Sequence, residues 1–438
     1  MARFLTLIAF IGVTYAVTHA LGFLQVPGTG PGSATLFLGF LLLSSYLAGR
    51  AARAIAFPQI TGYLVIGIIV GPYVLGILPT EVVEEFRFVN QVALALIALS
   101  AGGELRANSL RQRIRSICVI TTFQIVFMFT LVTASVFLAR GAINFLEGEP
   151  AKSALAVALL FGLVAVAKSP ATTIAVITEE KARGVLTDTV LGVTVLKDVV
   201  ILILIAVFIP LSATIVDPTS GFSFDAVWQI LLRILGSLAV GLLLGWLVTV
   251  YLTRIRAYRI LFVLGVAFMA VYLGERLHLE YILLAMAAGF YVQNFSRQGR
   301  RLLHALEANS LPVYALFFAL AGADLDITVL RTAWVIATAI ILTRIVAAWV
   351  STYLAARMVG DPPVIRRYAW MGFLAQAGIT LGIANLVRDN FPVWGDSVAT
   401  IIVAMIAVNQ LIGPPAFRWA LLKAGESHTS VPVGRSRT

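Results

Sequence analysis

Asp198 is the one carboxylate of this 438-residue chain that falls in the interior of a long apolar stretch. Four basic residues share that distinction: Lys168, Lys197, Arg233 and Arg344. A charge in hydrocarbon costs roughly 2.5–3.5 kcal/mol on insertion scales, so such residues face a partner, a bundle interior or water. A carboxylate there can bind a proton or a cation. A neighbouring ammonium can balance its charge or join it in titration. Asp198 shares a helical face with Thr194, four residues earlier, while Lys197 lies about 100° round the helix beside Val193 and Ile201. Lys168-Ser169-Pro170 sits within another apolar stretch, followed by Thr172 and Thr173. Pro170 has no amide hydrogen and clashes with the preceding turn, so it kinks or breaks a helix there. A break exposes half-helix termini, whose dipoles and free backbone groups bind ions near a bilayer midplane. A second polar, glycine-bearing interruption, Gln376-Ala377-Gly378-Ile379-Thr380, occurs in a later stretch. Two interrupted helices in separate halves of a chain point towards inverted repeats. The competing readings are a static ion pair joining helices at Asp198 and a plain kink at Pro170. For Arg233, snorkelling or local pairing is the preferred reading.

The elements that position these residues must cross a membrane. The chain is 60% hydrophobic and 12% charged, about half the charge of a soluble domain. Its apolar residues come in blocks long enough to span roughly 30 Å of hydrocarbon at 1.5 Å per residue. Without period-2 alternation they read as helices rather than barrel strands. Fourteen segments are expected, near 4–24, 33–52, 58–79, 88–105, 114–139, 153–178, 185–213, 226–252, 258–274, 279–296, 308–323, 329–356, 366–387 and 395–421. With the N-terminus inside, 22 of the 32 basic residues fall in inside loops and tails and 6 in outside loops. This positive-inside asymmetry supports both the segments and a cytoplasmic C-terminus. It also accounts for the net charge of +11 without nucleic acid. The first segment could instead be a signal peptide ending near Ala20; its apolar run continues through Leu24, which favours a retained helix. The expected organisation is an N-terminal helix and linker at 1–32, a transmembrane domain at 33–422 and a disordered tail at 423–438.

An enzyme is not expected. One cysteine and four scattered histidines offer no metal site or disulfide. Gly28-Thr-Gly-Pro-Gly32 lacks the strand–helix context of a nucleotide loop. No cofactor is implied.

Phe57-Pro-Gln-Ile-Thr-Gly-Tyr-Leu-Val-Ile-Gly-Ile-Ile-Val-Gly-Pro-Tyr-Val-Leu-Gly76 resembles the Pro…Gly-Tyr…Gly…Gly-Pro…Leu-Gly signature of the cation:proton antiporter-2 family, the family of Kef-type and NapA-like sodium/proton exchangers. Ala101-Gly-Gly-Glu-Leu105, Gly192-Val-Thr-Val-Leu-Lys-Asp-Val-Val200, Phe317-Phe-Ala-Leu-Ala-Gly322 and Asp324-Leu-Asp326 resemble further family segments in the family's order. The resemblance implies an all-α polytopic, NhaA/NapA-like antiporter fold with inverted repeats, two crossed discontinuous helices and 13 family helices, here preceded by one extra segment. It implies a homodimer in a bacterial-type inner membrane, exchanging a monovalent cation, Na⁺ or K⁺, for protons by alternating access. Asp198 falls on the family's ion-exchange carboxylate and Arg344 on the basic position facing it. The expected ion- and proton-binding residues are Asp198, Lys197, Lys168, Thr194, Ser169, Thr172 and Arg344. Pro170, Gln376, Gly378 and Thr380 mark the broken helices. The sequence departs from the family at Lys197, commonly Asp, Asn or Gln, and at Lys168, commonly Thr. Basic residues repel a desolvated cation. A proton-coupled anion transporter and a non-transporting sensor subunit are therefore the alternative functions.

Overall fold

The computed structural model describes residues 31–217, 224–255, 259–308 and 310–428. The expected first segment, 4–24, lies outside them. Within the described residues the regular structure is helical. Long apolar runs without water must satisfy their backbone internally. Each of the thirteen segments expected after residue 32 contains helix. They are α1 (Pro31–Ala54), α2 (Gln59–Val70), the short α3 (Thr80–Glu85), α4 (Arg87–Glu104), α5 (Ala107–Leu138), α6 (Ala151–Val166) and α7 (Pro170–Glu179). After these come α8 (Val185–Val216), α9 (Phe224–Arg254), α10 (Arg259–Arg276), α11 (Tyr281–Phe295), α12 (Gly299–Glu307) and α13 (Ser310–Ala323). The chain ends with α14 (Leu330–Met358), α15 (Pro363–Tyr368), α16 (Ile379–Asn390) and α17 (Gly395–Ala424). Among the described residues, six spans are long and apolar enough to cross a bilayer, counting α6–α7 as one, or seven if bent α12–α13 is one span. Two others, α2 and α11, are apolar but only 12 and 15 residues long, which the density of apolar residues alone did not reveal.

Two units emerge from the packing. In one, α5 packs on α6 and α14, α6 packs on α8, and α17 packs on α14 and α16. In the other, α11 packs on α4 and α9, and α2 packs on α1 and α13. Glycines bring the second unit's backbones into direct contact. A Cβ on Gly67 would lie 2.0 Å from the Ala319 carbonyl oxygen, and one on Gly322 2.2 Å from that of Leu64. Only glycine permits this reciprocal crossing of α2 and α13.

The tail expected to lack structure from residue 423 begins differently. Helix α17 continues to Ala424, and Glu426, Ser427 and His428 bond back to the bundle. The reason is electrostatic: Glu426 accepts from the otherwise unpaired amides of Leu186 and Thr187 at the start of α8.

Candidate ion site at the helix crossing

Two breaks meet in the first unit. Helix α6 ends at Val166, and after Ala167 and Lys168 the chain restarts at Pro170 as α7. Ser169 caps α7 by accepting from the Thr172 amide at 3.2 Å, and Pro170 occupies the first turn, where its missing N–H costs nothing. In the second break, a 3₁₀ turn at Ala369–Phe373 gives way to residues without regular structure, and α16 starts after Gly378. Gly378 has φ +48°, a conformation that favours glycine. The unwound segments pair backbone to backbone, the Ser169 amide donating to the Ala375 carbonyl at 2.8 Å.

Arg344 holds this crossing together. Fully buried on α14, it donates to the carbonyls of Ala165 at 2.9 Å, Ala167 at 3.2 Å, Phe373 at 3.0 Å and Leu374 at 2.8 Å. These carbonyls belong to the C-terminal ends of both interrupted pieces, where the helix dipole is negative and orphan acceptors accumulate. The resemblance implied an arginine facing Asp198; all its hydrogen bonds here go to backbone. Gln376 adds a second clasp, its Nε2 donating to Val164 O at 2.7 Å and Ala167 O at 3.1 Å, while Asn409 Nδ2 donates to Gln376 Oε1 at 2.8 Å. Thr172 Oγ1 bonds with Ser169 Oγ at 2.9 Å and with Gln410. Thr380 Oγ1 is buried without a hydrogen-bond partner.

Both lysines approach one aromatic ring. Lys168 Nζ sits 5.2 Å and Lys197 Nζ 5.9 Å from the Phe373 ring centroid, near enough for cation–π attraction. Lys168 Nζ donates to Thr194 Oγ1, to Thr173 Oγ1 at 3.1 Å and to Gly372 O at 3.5 Å. Lys197 Nζ donates to Gln124 Oε1 at 3.0 Å and lies 3.8 Å from Met128 Sδ. Gln124 is itself oriented by donating to Thr352 Oγ1 at 2.8 Å. Asp198 is buried on α8, and its Oδ1 has no hydrogen-bond partner. The structure thus gathers Lys168, Thr194, Lys197 and Asp198 at the level of the crossing. Arg233 lies apart on an exposed face of α9.

Three participants were missed in the sequence: Gln124, Asn409 and Gln410. Each is an amide inside an expected span, and the cost argument applied to charges would have singled them out too. Arg418, near the end of the expected 395–421 segment, is also different in kind: it lies buried within α17 and pairs with Glu180 at 2.7 Å.

A cavity of about 380 Å³ opens where α7 ends and α8 begins, lined by Glu104, Thr178, Lys181, Arg183, Glu307 and His428 among others. Two more cavities of about 670 and 320 Å³ share Glu307 with it. Together they form a recess lined by charged residues of both signs.

Residues 34–423 match the family model described as sodium/hydrogen exchanger, transmembrane. A probable Na⁺/H⁺ antiporter 3 of Methanocaldococcus jannaschii is 22% identical over 388 residues, covering 86% of this chain and 94% of that relative. The probable Na⁺/H⁺ antiporter GerT of Bacillus cereus is 28% identical over 170 residues, 38% of this chain and 41% of the relative. Two solved structures of the sodium proton antiporter MjNhaP1 from M. jannaschii, each 18% identical, share the fold. One, at pH 8, has a TM-score of 0.67 and covers 89% of this chain and 98% of its own. The other, an electron-microscopy map, has 0.72 and covers 92% and 100%. With nine-tenths of its length inside the family match, the chain is a member of the transmembrane sodium/hydrogen exchanger family.

Proposed function

We propose that this membrane protein exchanges a monovalent cation, Na⁺ or K⁺, for protons by alternating access at Asp198. The observation that carries the reading is the buried Asp198 Oδ1 without a hydrogen-bond partner. A buried polar atom left unsatisfied costs about 1–3 kcal/mol, more when charged. A proton or a cation relieves that cost, and one carboxylate cannot hold both at once. Competition for one group is what couples the two fluxes. The first unit, built round the crossing, is then the moving body, and the charge-lined recess is the access route from one side. The positive-inside asymmetry of the loops makes that side the cytoplasm and leaves the C-terminus there. The Phe57–Gly76 signature supports placement with the cation:proton antiporter-2 group, a homodimer and a bacterial-type inner membrane.

An anion held by Lys168 would need donors to spare on that lysine. The ammonium of Lys168 has three N–H groups, and three oxygens already accept from it. A sensor locked by a Lys–Asp pair needs a bond between them, yet both lysines bond to other groups. The test is flux in proteoliposomes. Wild type is expected to dissipate a pH gradient when Na⁺ or K⁺ is added, and Asp198→Asn to abolish that response. Wild-type vesicles that ignore both cations, or an active Asp198→Asn, overturn the proposal.

A further inference from the structure

We propose that Lys168 is a tethered cation occupying an oxygen cage built for a monovalent cation, and that it thereby sets how tightly the transported ion binds at Asp198. The inference rests on the Asp198 reading above and adds a specificity-determining residue to it.

The cage is recognisable by where its hydrogens go. Thr194 Oγ1 donates its single hydrogen to the Val190 carbonyl at 2.5 Å. Thr173 Oγ1 donates towards the carbonyls of Gly372 at 3.2 Å and Ser169 at 3.3 Å. With both hydrogens directed at backbone, the hydroxyls turn lone pairs towards Lys168, and the Gly372 carbonyl supplies a third acceptor. Three acceptors and the face of Phe373 surround a group that is 2% exposed. Such a set stabilises a positive charge and rejects a negative one. Thr194 stands one turn from Asp198 on α8, so the caged ammonium and an ion bound at Asp198 are neighbours of like charge. Their repulsion weakens the ion's binding, and it is little screened in a buried site. Lys197 is a poorer candidate for this role, because Gln124 and Met128 draw it towards α5.

The position of Lys168 also explains how a lysine is tolerated beside the exchange carboxylate. It stands in the unwound residues between α6 and α7, where backbone and hydroxyl oxygens are free to receive it. The cage satisfies the lysine without consuming Asp198.

Purified protein in detergent tests this by the cation concentration that gives half of the thermal stabilisation. NaCl and KCl are titrated at constant ionic strength with N-methyl-D-glucamine chloride. Lys168→Met removes the charge and keeps the stem, and is expected to lower the half-effective concentration at least tenfold. An unchanged or higher value, in a variant whose circular dichroism matches wild type, overturns the inference. Thr194→Val keeps the lysine and removes one cage oxygen. The ammonium then leans on Asp198, and the half-effective concentration is expected to rise at least threefold; no rise overturns the inference even if Lys168→Met fails to fold. Asp198→Asn separates the two proposals. Loss of the cation response supports the Asp198 reading. Its persistence overturns that reading, while the ratio of Lys168→Met to wild type still decides the lysine.

Discussion

Two buried ionic clusters stand roughly 20 Å apart along α8, taking 1.5 Å per residue between its start and Asp198, and they are built on opposite principles. At the start of α8 the buried carboxylates of Glu180 and Glu426 have both oxygens hydrogen-bonded, one of them to an arginine. Arg418 Nε meets Glu180 Oε1 at 2.7 Å, with side chains only 6% and 3% exposed. Ser427 Oγ donates to Glu180 Oε2 at 2.5 Å, and Arg418 Nη1 donates to the Ala56 carbonyl. Glu426 accepts from the amides of Leu186 at 2.7 Å and Thr187 at 2.8 Å, and from Thr187 Oγ1 at 2.7 Å. At the crossing the cationic groups are satisfied by neutral oxygens and the carboxylate keeps an unpartnered atom. A matched cluster fixes geometry; an unmatched one is available to a ligand. The first cluster anchors the ends of the two helices, α7 and α8, that carry the second.

The comparison is broken most severely by removing one partner of the matched pair. Arg418→Met leaves Glu180 buried with an uncompensated charge, at a cost of about 3–5 kcal/mol. Reversible unfolding in mixed detergent micelles should show that loss. A change below 1 kcal/mol would mean that the pair contributes nothing beyond filling space.

Glu426→Gln is the next largest effect. Helix α8 starts from Gly184, which has no side chain with which to cap it, and Glu426 supplies the cap from 240 residues further along the chain. A Cβ on Gly184 would lie 2.3 Å from Glu426 Cδ, so the glycine makes room for this carboxylate. Hydrogen bonds to a charged acceptor are worth about 1.5–3 kcal/mol, and the dipole at the start of α8 adds to them. Glutamine keeps one acceptor oxygen, so the expected loss is about 1–3 kcal/mol in the same assay. The half-effective cation concentration should stay within twofold of wild type, since Glu426 touches no group at the crossing. A larger shift would show that the two clusters are energetically coupled.

The sequence made one cluster legible and hid the other. Asp198, Lys168 and Lys197 stood out because charge is expensive in hydrocarbon and each interrupts an apolar run. Pro170 and Gly378 marked the breaks through backbone rules that act within a few residues. Glu180, Arg418 and Glu426 sit near segment ends, where charge is ordinary, and their pairing spans 238 to 240 positions. Nothing local distinguishes a buried cap from a solvated loop residue. Arg344 was legible as a buried charge but not in its task, because its partners are carbonyls that any residue possesses. The arrangement of those carbonyls exists only once both breaks have been brought together.

The smallest expected effect on stability is at the residue with the largest expected effect on transport. Asp198→Asn is nearly isosteric and replaces a carboxylate whose Oδ1 has no partner, so it breaks no hydrogen bond at that atom. It removes the cost of an exposed-to-nothing charge and also the attraction between that charge and Lys168. The two changes oppose each other. Lys168 keeps its three oxygen acceptors in the variant, which limits what the lost attraction can cost. Unfolding in mixed micelles should therefore place Asp198→Asn within about 1 kcal/mol of wild type, no more than the average point substitution costs. Arg418→Met should be destabilised several-fold more in the same assay. A loss at Asp198 as large as that at Arg418 would make the crossing a second matched cluster, with Asp198 spent on holding the helices together rather than on binding an ion.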